Sequence, residues 1–315
     1  MSQEITICFA SDDNYAPYMG LAILSILQSA AREDSFHFYI LDLGIGPANK
    51  NKIDSIHKKY PFHITYLPVN KDLLKGCDPK HLSLATFGRF FIPELIPCDK
   101  VLYLDCDIMA RGSLQPLWQT DLTGYYLAGV PDYGAIYRGE LKERFGPDFD
   151  ASTYVNAGVL LINNKKQREE NICPQLLNYA IKNASALRYA DQDAINFICQ
   201  KKKLLPERYN MMGMFWKQDL FAHLPVTARM EQERRQTVLR HFHPWKKNLF
   251  CPHREEYIAL MRTSPWASFI PQDDPKPIAW AKAIGKYIWH HPFCLLTLRF
   301  YKRLKMRGPR CLFMD

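Results

Sequence analysis

The chain has 315 residues, 47% of them hydrophobic and 23% charged, which suits a catalytic domain with an appendage and excludes wholesale disorder. Lys and Arg number 41 against 32 Asp and Glu, a net +9 that favours polyanionic partners: nucleotide phosphates, nucleic acid or anionic lipid. The 9 cysteines show no CxxC spacing, which fits reduced thiols in the cytosol better than a disulfide framework.

The opening residues move straight into a strand-like run, so no signal peptide is read, and no window of about 18 apolar residues predicts a spanning helix. Ile5 to Ala10 (ITICFA) reads as a buried strand leading into Ser-Asp-Asp-Asn. Tyr18 to Ala30 has helical spacing, Phe36 to Leu43 reads as a strand, Asn49 to Lys59 as a helix and Phe62 to Pro68 as a strand. Val101 to Asp107, Tyr125 to Val130 and Tyr154 to Asn163 are further strands, and a helix opens near Asp191. Such alternation predicts a doubly wound α/β fold with a mostly parallel sheet. From Pro265 four prolines (Pro265, Pro271, Pro275, Pro277) form a connector, placing a catalytic domain at 1–270 and a tail at 271–315.

The strongest local signal is VLYLDCD, Val101 to Asp107. Residues two apart in a strand share a face, so Asp105 and Asp107 project together at the strand's carboxyl end. Ligands bind at that end in doubly wound folds, and paired carboxylates there suit Mg²⁺ or Mn²⁺; solvated loop aspartates are the plainer alternative. The ASDDN run from Ala10 to Asn14 either reads a nucleoside or starts a helix. Arg89, within TFGRFF, either holds a phosphate or sugar hydroxyl or snorkels beside Phe90 and Phe91. Asn156 stands at the start of a buried strand, where Ala157-Gly158 allows close backbone approach. Asp191, in DQD, is either a helix N-cap or, with Gln192, a sugar-facing pair. His241, in HFHPWKK, is either a nitrogen ligand completing the site or a satisfied strand-end histidine, and Lys247 is placed to meet a phosphate.

As an ordered set from about Ile5 to about Leu249, these motifs resemble the retaining glycosyltransferases of family 8. That group includes bacterial lipopolysaccharide galactosyl- and glucosyltransferases and glycogenin. The resemblance implies a nucleotide-diphospho-sugar transferase (GT-A) fold and transfer of galactose or glucose from a UDP-sugar with retention. It implies that Ala10, Asp12 and Asn14 hold the uridine, that Asp105, Asp107 and His241 ligate Mn²⁺ (Mg²⁺ also serving), and that Lys247 contacts the diphosphate. It puts Arg89, Asn156, Asp191 and Gln192 around the transferred sugar, with Gln192 or Asp191 steadying the oxocarbenium-like centre and Asp132 near donor or acceptor. One departure stands out: the family's glycine three residues after the metal histidine is Pro244 here, which puts the Lys247 contact in question, with His243 and Lys246 as partial substitutes.

From Ile278 onward, aromatic residues alternate with cations, and Leu296, Phe300 and Leu304 align beside Arg299 and Arg303. Basic and aromatic residues on one helix describe an element lying on anionic lipid; nucleic-acid binding uses the same composition, and a terminal helix packed on the domain with solvated cations is the plainer alternative. The family resemblance, which implies a lipid-linked saccharide acceptor at the inner leaflet, favours the membrane surface over nucleic acid. The expected setting is cytoplasmic, peripherally attached to the inner face of the cell membrane, with a lipopolysaccharide or lipooligosaccharide core saccharide as acceptor. Two rivals remain at this point. A Mg²⁺-dependent phosphatase would want its Asp-x-Asp nearer the N-terminus, with Thr or Ser where Ile108-Met109 stand. A non-catalytic, membrane-surface saccharide-binding protein has only the Pro244 departure in its favour.

Overall fold

A computed structural model describes residues 4–80, 82–216, 227–242 and 253–269. The tail at 271–315, the His243 to Lys247 segment and Leu249 lie outside the described residues. Seven strands form the main sheet in the order β3-β2-β1-β4-β7-β6-β8. They span Ile5–Ser11 (β1), Phe36–Asp42 (β2), His63–Pro68 (β3), Lys100–Leu104 (β4), Leu127–Pro131 (β6), Val155–Asn163 (β7) and Lys202–Leu204 (β8). Two short strands, Ile108–Ala110 (β5) and Leu239–His241 (β9), make a separate antiparallel pair.

The central strand β1 is buried along its whole length because both faces are covered. Ile5, Ile7 and Phe9 join one core with the Ala16–Ser29 helix, while Cys8 and Ala10 join the other with the 3₁₀ segment Leu84–Phe91. Pro17 in its first turn favours the start of the Ala16–Ser29 helix, two residues earlier than its apolar spacing predicts. The expected single helix from Asn49 to Lys59 divides into an α-helix, Pro47–Asp54, and a 3₁₀ turn, Ser55–Lys58. At the break the Ser55 hydroxyl donates to the Lys52 carbonyl at 2.6 Å, a local bond that competes with the α-helical ladder.

One expectation is corrected: β4 stops at Leu104, not at Asp107. The Asp105 amide still donates to Gly158 O at 2.8 Å, after which the chain turns and Ile108 pairs with His241 in the small sheet. The two aspartates therefore converge at a junction between sheets, not by alternation along one strand. The sheet is mostly parallel, as expected, and its one exception is β7, which runs antiparallel to both β4 and β6. That reversal puts the first residues of β7 beside the carboxyl ends of β1 and β4, where a parallel strand would have put its last.

Near the end of the described chain, Trp266 is 1% exposed and lies over the first helix, its indole N–H donating to Asn49 Oδ1 at 2.9 Å. A Cβ built on Gly20 would stand 2.0 Å from Trp266 Cη2, so only glycine lets the indole sit there. Phe269 meets Tyr18 edge-on at 5.1 Å. The chain is thus packed on the core as far as Phe269, the last described residue.

Candidate active site

A cavity of about 810 Å³ opens at the carboxyl ends of β1 and β4, lined by Ala10, Arg89, Asp105, Asp107, Asp132, Asn156, Asp191, Gln192 and His241 among others. Nine residues singled out by sequence therefore meet on one wall. Asp12 and Asn14 sit in the loop after β1, outside the lining residues. Asp12 Oδ1 accepts the amides of Asn14 and Tyr15 at 3.0 and 3.1 Å, and its Oδ2 accepts the Ser83 hydroxyl at 2.6 Å. Asp12 thus ties the loop to Ser83, which does line the cavity.

Arg89 does not snorkel. Its side chain is 6% exposed, with one guanidinium nitrogen 2.9 Å from Asp105 Oδ1 and Nε 3.0 Å from Asp191 Oδ2, and it stacks 4.3 Å from the Tyr103 ring centroid. Burial opposes its charge, but the two carboxylates more than offset this and keep it cationic. Burial also pushes the Asp191 carboxyl up to about 6, with Arg89 and Thr86 pulling the other way. The Arg89 Nε hydrogen goes to the Thr86 carbonyl at 2.9 Å, so Asp191 Oδ2 is held by charge and accepts no hydrogen bond.

Asp191 is not the N-cap of the Ala190–Ile198 helix, as one sequence reading has it; Tyr189 holds that place. The amides of Arg188 and Tyr189 donate instead to Asp193 Oδ2, at 2.7 and 2.9 Å. Asp193, fully buried, also takes the Tyr154 hydroxyl at 2.6 Å and pairs with Arg144. In the DQD run the third residue anchors the helix start, which leaves the first two to face the cavity. Gln192 donates to Asp132 Oδ2 at 3.0 Å and accepts from Asn156 Nδ2 at 3.1 Å and the Ala157 amide at 3.0 Å.

Asp105, Asp107 and His241 offer two carboxylate oxygens and one imidazole nitrogen, all within 4.8 Å of one another. His241 Nε2 stands 3.2 Å from Asp107 Oδ1 and 3.9 Å from Asp105 Oδ2. Burial alone would push the imidazole below its ordinary value, but the Asp107 carboxylate outweighs it and holds the pKa above. The backbone makes room for this cluster: a Cβ on Gly158 would lie 2.4 Å from His241 Cε1 and 2.8 Å from Asp105 Oδ2. Two hard oxygens with one borderline nitrogen suit a divalent ion such as Mn²⁺, so the residues fit the group expected there. Sequence reasoning missed Tyr103, Thr86 and Asn210, whose polar groups support Asp105, Asp191 and His241. Tyr103 and Thr86 lie inside the VLYLDCD and TFGRFF runs but were passed over for their charged neighbours, and Asn210 belongs to no motif.

Residues 6–248 match the model of the family described as Glycosyl transferase family 8. The chain belongs to that family. This family 8 member is 37% identical to a putative glycosyltransferase of Haemophilus influenzae, over 66% of this chain and 64% of that protein. It is 25% identical to the lipopolysaccharide 1,2-glucosyltransferase of Escherichia coli K12, over 96% of this chain and 93% of that one. A crystal structure of the galactosyltransferase LgtC with donor and acceptor sugar analogs superposes with a TM-score of 0.72 at 29% identity, covering 85% of this chain and 98% of LgtC. Family 8 membership, with the Asp105–His241 cluster on a GT-A fold, sets the phosphatase alternative aside. Among the described residues no helix is long and apolar enough to cross a membrane.

Proposed function

We propose that the protein moves galactose or glucose from a UDP-sugar, with Mn²⁺ and retention of configuration, onto the core saccharide of a lipopolysaccharide or lipooligosaccharide. The observation that carries this reading is the three-ligand cluster at the wall of a cavity that also holds the Arg89–Asp191 pair and the Gln192 amide. Asp105, Asp107 and His241 would hold the ion, which supplies positive charge to neutralise the departing diphosphate. Asp191 faces the transferred hexose from the cavity lining, and Arg89 fixes its carboxylate and that of Asp105. Gln192, Asn156 and Asp132 line the same wall, with the Gln192 carbonyl oxygen nearest in kind to what a developing oxocarbenium charge needs. The acceptor hydroxyl attacks the anomeric carbon on the face the diphosphate leaves, and its proton passes to that diphosphate. Ala10, Asp12 and Asn14 form the uridine side, and Lys247 a phosphate contact.

The lipid-linked acceptor is supported by the names of two relatives, the lipopolysaccharide 1,2-glucosyltransferase above and a lipopolysaccharide 1,3-galactosyltransferase of Salmonella typhimurium. Residues 271–315 form the membrane-associating element, each Lys or Arg there contributing about 1 kcal/mol at an anionic surface. UDP release from a panel of UDP-sugars, with and without Mn²⁺, and with soluble and vesicle-borne saccharide acceptors, tests the whole reading. Metal-dependent turnover of UDP-galactose or UDP-glucose is expected, faster on the anionic vesicles. No turnover with any donor would favour the non-catalytic saccharide-binding reading instead.

A further inference from the structure

Behind the ion ligands runs a chain of three amides whose orientation is fixed from its ends. The Gly158 amide donates to Asn156 Oδ1 at 3.0 Å, and the Ala157 amide donates to Gln192 Oε1 at 3.0 Å. A backbone N–H can only donate, so both side-chain atoms are oxygens and cannot be exchanged with their NH₂ groups. Asn156 must then send its NH₂ to Gln192 Oε1, 3.1 Å away, and Gln192 its own to Asp132, 3.0 Å away. On the other side Asn156 Oδ1 can only accept, so the Asn210 atom 2.8 Å from it must be the donor Nδ2. The oxygen of Asn210 is thereby turned to His241 Nδ1, at 2.9 Å. An amide oxygen can only accept, so Nδ1 carries a hydrogen and Nε2 is the nitrogen left to face Asp105 and Asp107. Asn210 is 0% exposed and His241 5%, so water does not compete for this contact.

We propose that Asn210 is a positioning residue that fixes the tautomer and ring angle of His241 for a divalent ion. Through Asn156 and Gln192 it also ties the ion seat to the sugar seat, so that filling one steadies the other. The inference rests on the metal-dependent reading above, and deepens it. Its consequence is a reciprocal coupling: Mn²⁺ should bind more tightly with UDP-hexose present than with UDP, because only the hexose engages the Gln192 end.

Calorimetric Mn²⁺ titration of the full chain, alone, with UDP and with UDP-galactose or UDP-glucose, tests this in the wild type, Asn210→Ala and Asn210→Asp. Asn210→Ala is expected to weaken Mn²⁺ by about 10- to 100-fold, the usual loss when the partner of a ligating histidine is removed. Asn210→Asp keeps an acceptor for Nδ1–H and should hold Mn²⁺ within a few-fold of wild type. Its carboxylate faces Asn156 Oδ1 without a hydrogen to donate, so the extra tightening by the hexose should vanish. Being nearly isosteric, it also serves if the alanine variant does not fold. Equal Mn²⁺ affinity in wild type and Asn210→Ala, or equal weakening by Ala and Asp, would overturn the positioning role. Identical Mn²⁺ affinity with UDP and with UDP-hexose in the wild type would overturn the link to the sugar seat. A wild type that binds no Mn²⁺ at all would instead sink the reading beneath it.

Discussion

The amino edge of the main sheet gathers Glu4, His37 and His63, and the carboxyl edge gathers Asp105, Asp107 and His241, each trio with ligand atoms within 4.8 Å of one another. Judged by residue type and spacing, the two groups are close equivalents. Their surroundings differ. At the amino edge the His63 and Glu4 side chains are 75% and 41% exposed and pair with each other at 3.0 Å, while His37 bonds the Thr65 hydroxyl at 2.8 Å. At the carboxyl edge His241 is backed by a buried amide, Asp105 by Arg89 and the Tyr103 hydroxyl, and Gly158 clears the space between. Ligand atoms alone do not make a site; groups that hold them in place when water would otherwise compete do.

The sharpest break in that comparison is Asp107→Asn, which should cut sugar transfer by roughly 100-fold or more while thermal unfolding stays near wild type. Chelated wild type should recover with added Mn²⁺ and the variant should not; full activity of Asp107→Asn in excess chelator would remove the ion from the account. Next comes Gly158→Ala. The new methyl drives into His241 Cε1 and Asp105 Oδ2, so Mn²⁺ affinity should fall by at least about 10-fold, with roughly 1–3 kcal/mol lost from stability in urea titration.

A smaller effect concerns pH. Burial raises the Asp191 carboxyl to about 6 from an ordinary value of 3.8, so between those values the native state binds a proton that the unfolded chain releases. Stability from this group is present at low pH and is lost as pH rises through about 6. Activity runs the other way, because the charged carboxylate is the form that holds Arg89 in place beside Asp105. Turnover should therefore fall on acidification with a midpoint near 6, and the stability difference between wild type and Asp191→Asn should shrink from pH 7 to pH 4. The smallest effect belongs to the amino edge: His63→Ala should leave Mn²⁺ stoichiometry and turnover unchanged and move stability by no more than about 0.5 kcal/mol.

The parts of the site that could be read from sequence were those in which chemistry and neighbours lie together in the chain. Asp105 and Asp107 close an apolar run, Asp191 and Gln192 open an amphipathic one, and His241 ends a short strand, so each announced itself. The direction of β7 did not, because strand alternation is the same whichever way a strand enters the sheet; only the pairing of Leu102 with Leu161 and of Leu127 with Ile162 decides it. Nor did the end of β4, since the chain is apolar on both sides of the turn, with Val101 to Leu104 before it and Ile108 to Ala110 after it. Asn210 was invisible for a similar reason: its meaning lies in His241 and Asn156, 31 and 54 residues away. Sequence leaves Asp191 open between a helix cap and a sugar-facing residue, and only the folded loop decides it by showing that Asp193 takes the Arg188 and Tyr189 amides.

The crossing of the chain from the main sheet to the small one at Asp105–Asp107 bears also on how the protein comes apart. Strands β5 and β9 hold each other through only three residue pairs, and the Phe242 amide reaches Asp107 O at 3.0 Å across that seam. An ion gripped by residues from both sides would act as a rivet there, closing a chain segment that otherwise depends on a few amide bonds. At a free ion concentration of 100 times its dissociation constant, such a rivet is worth about 2.7 kcal/mol. Its signature would be local: amide hydrogens of His241 and Phe242 exchanging more slowly with solvent deuterium once Mn²⁺ is added, while those in the middle of β1 keep their pace.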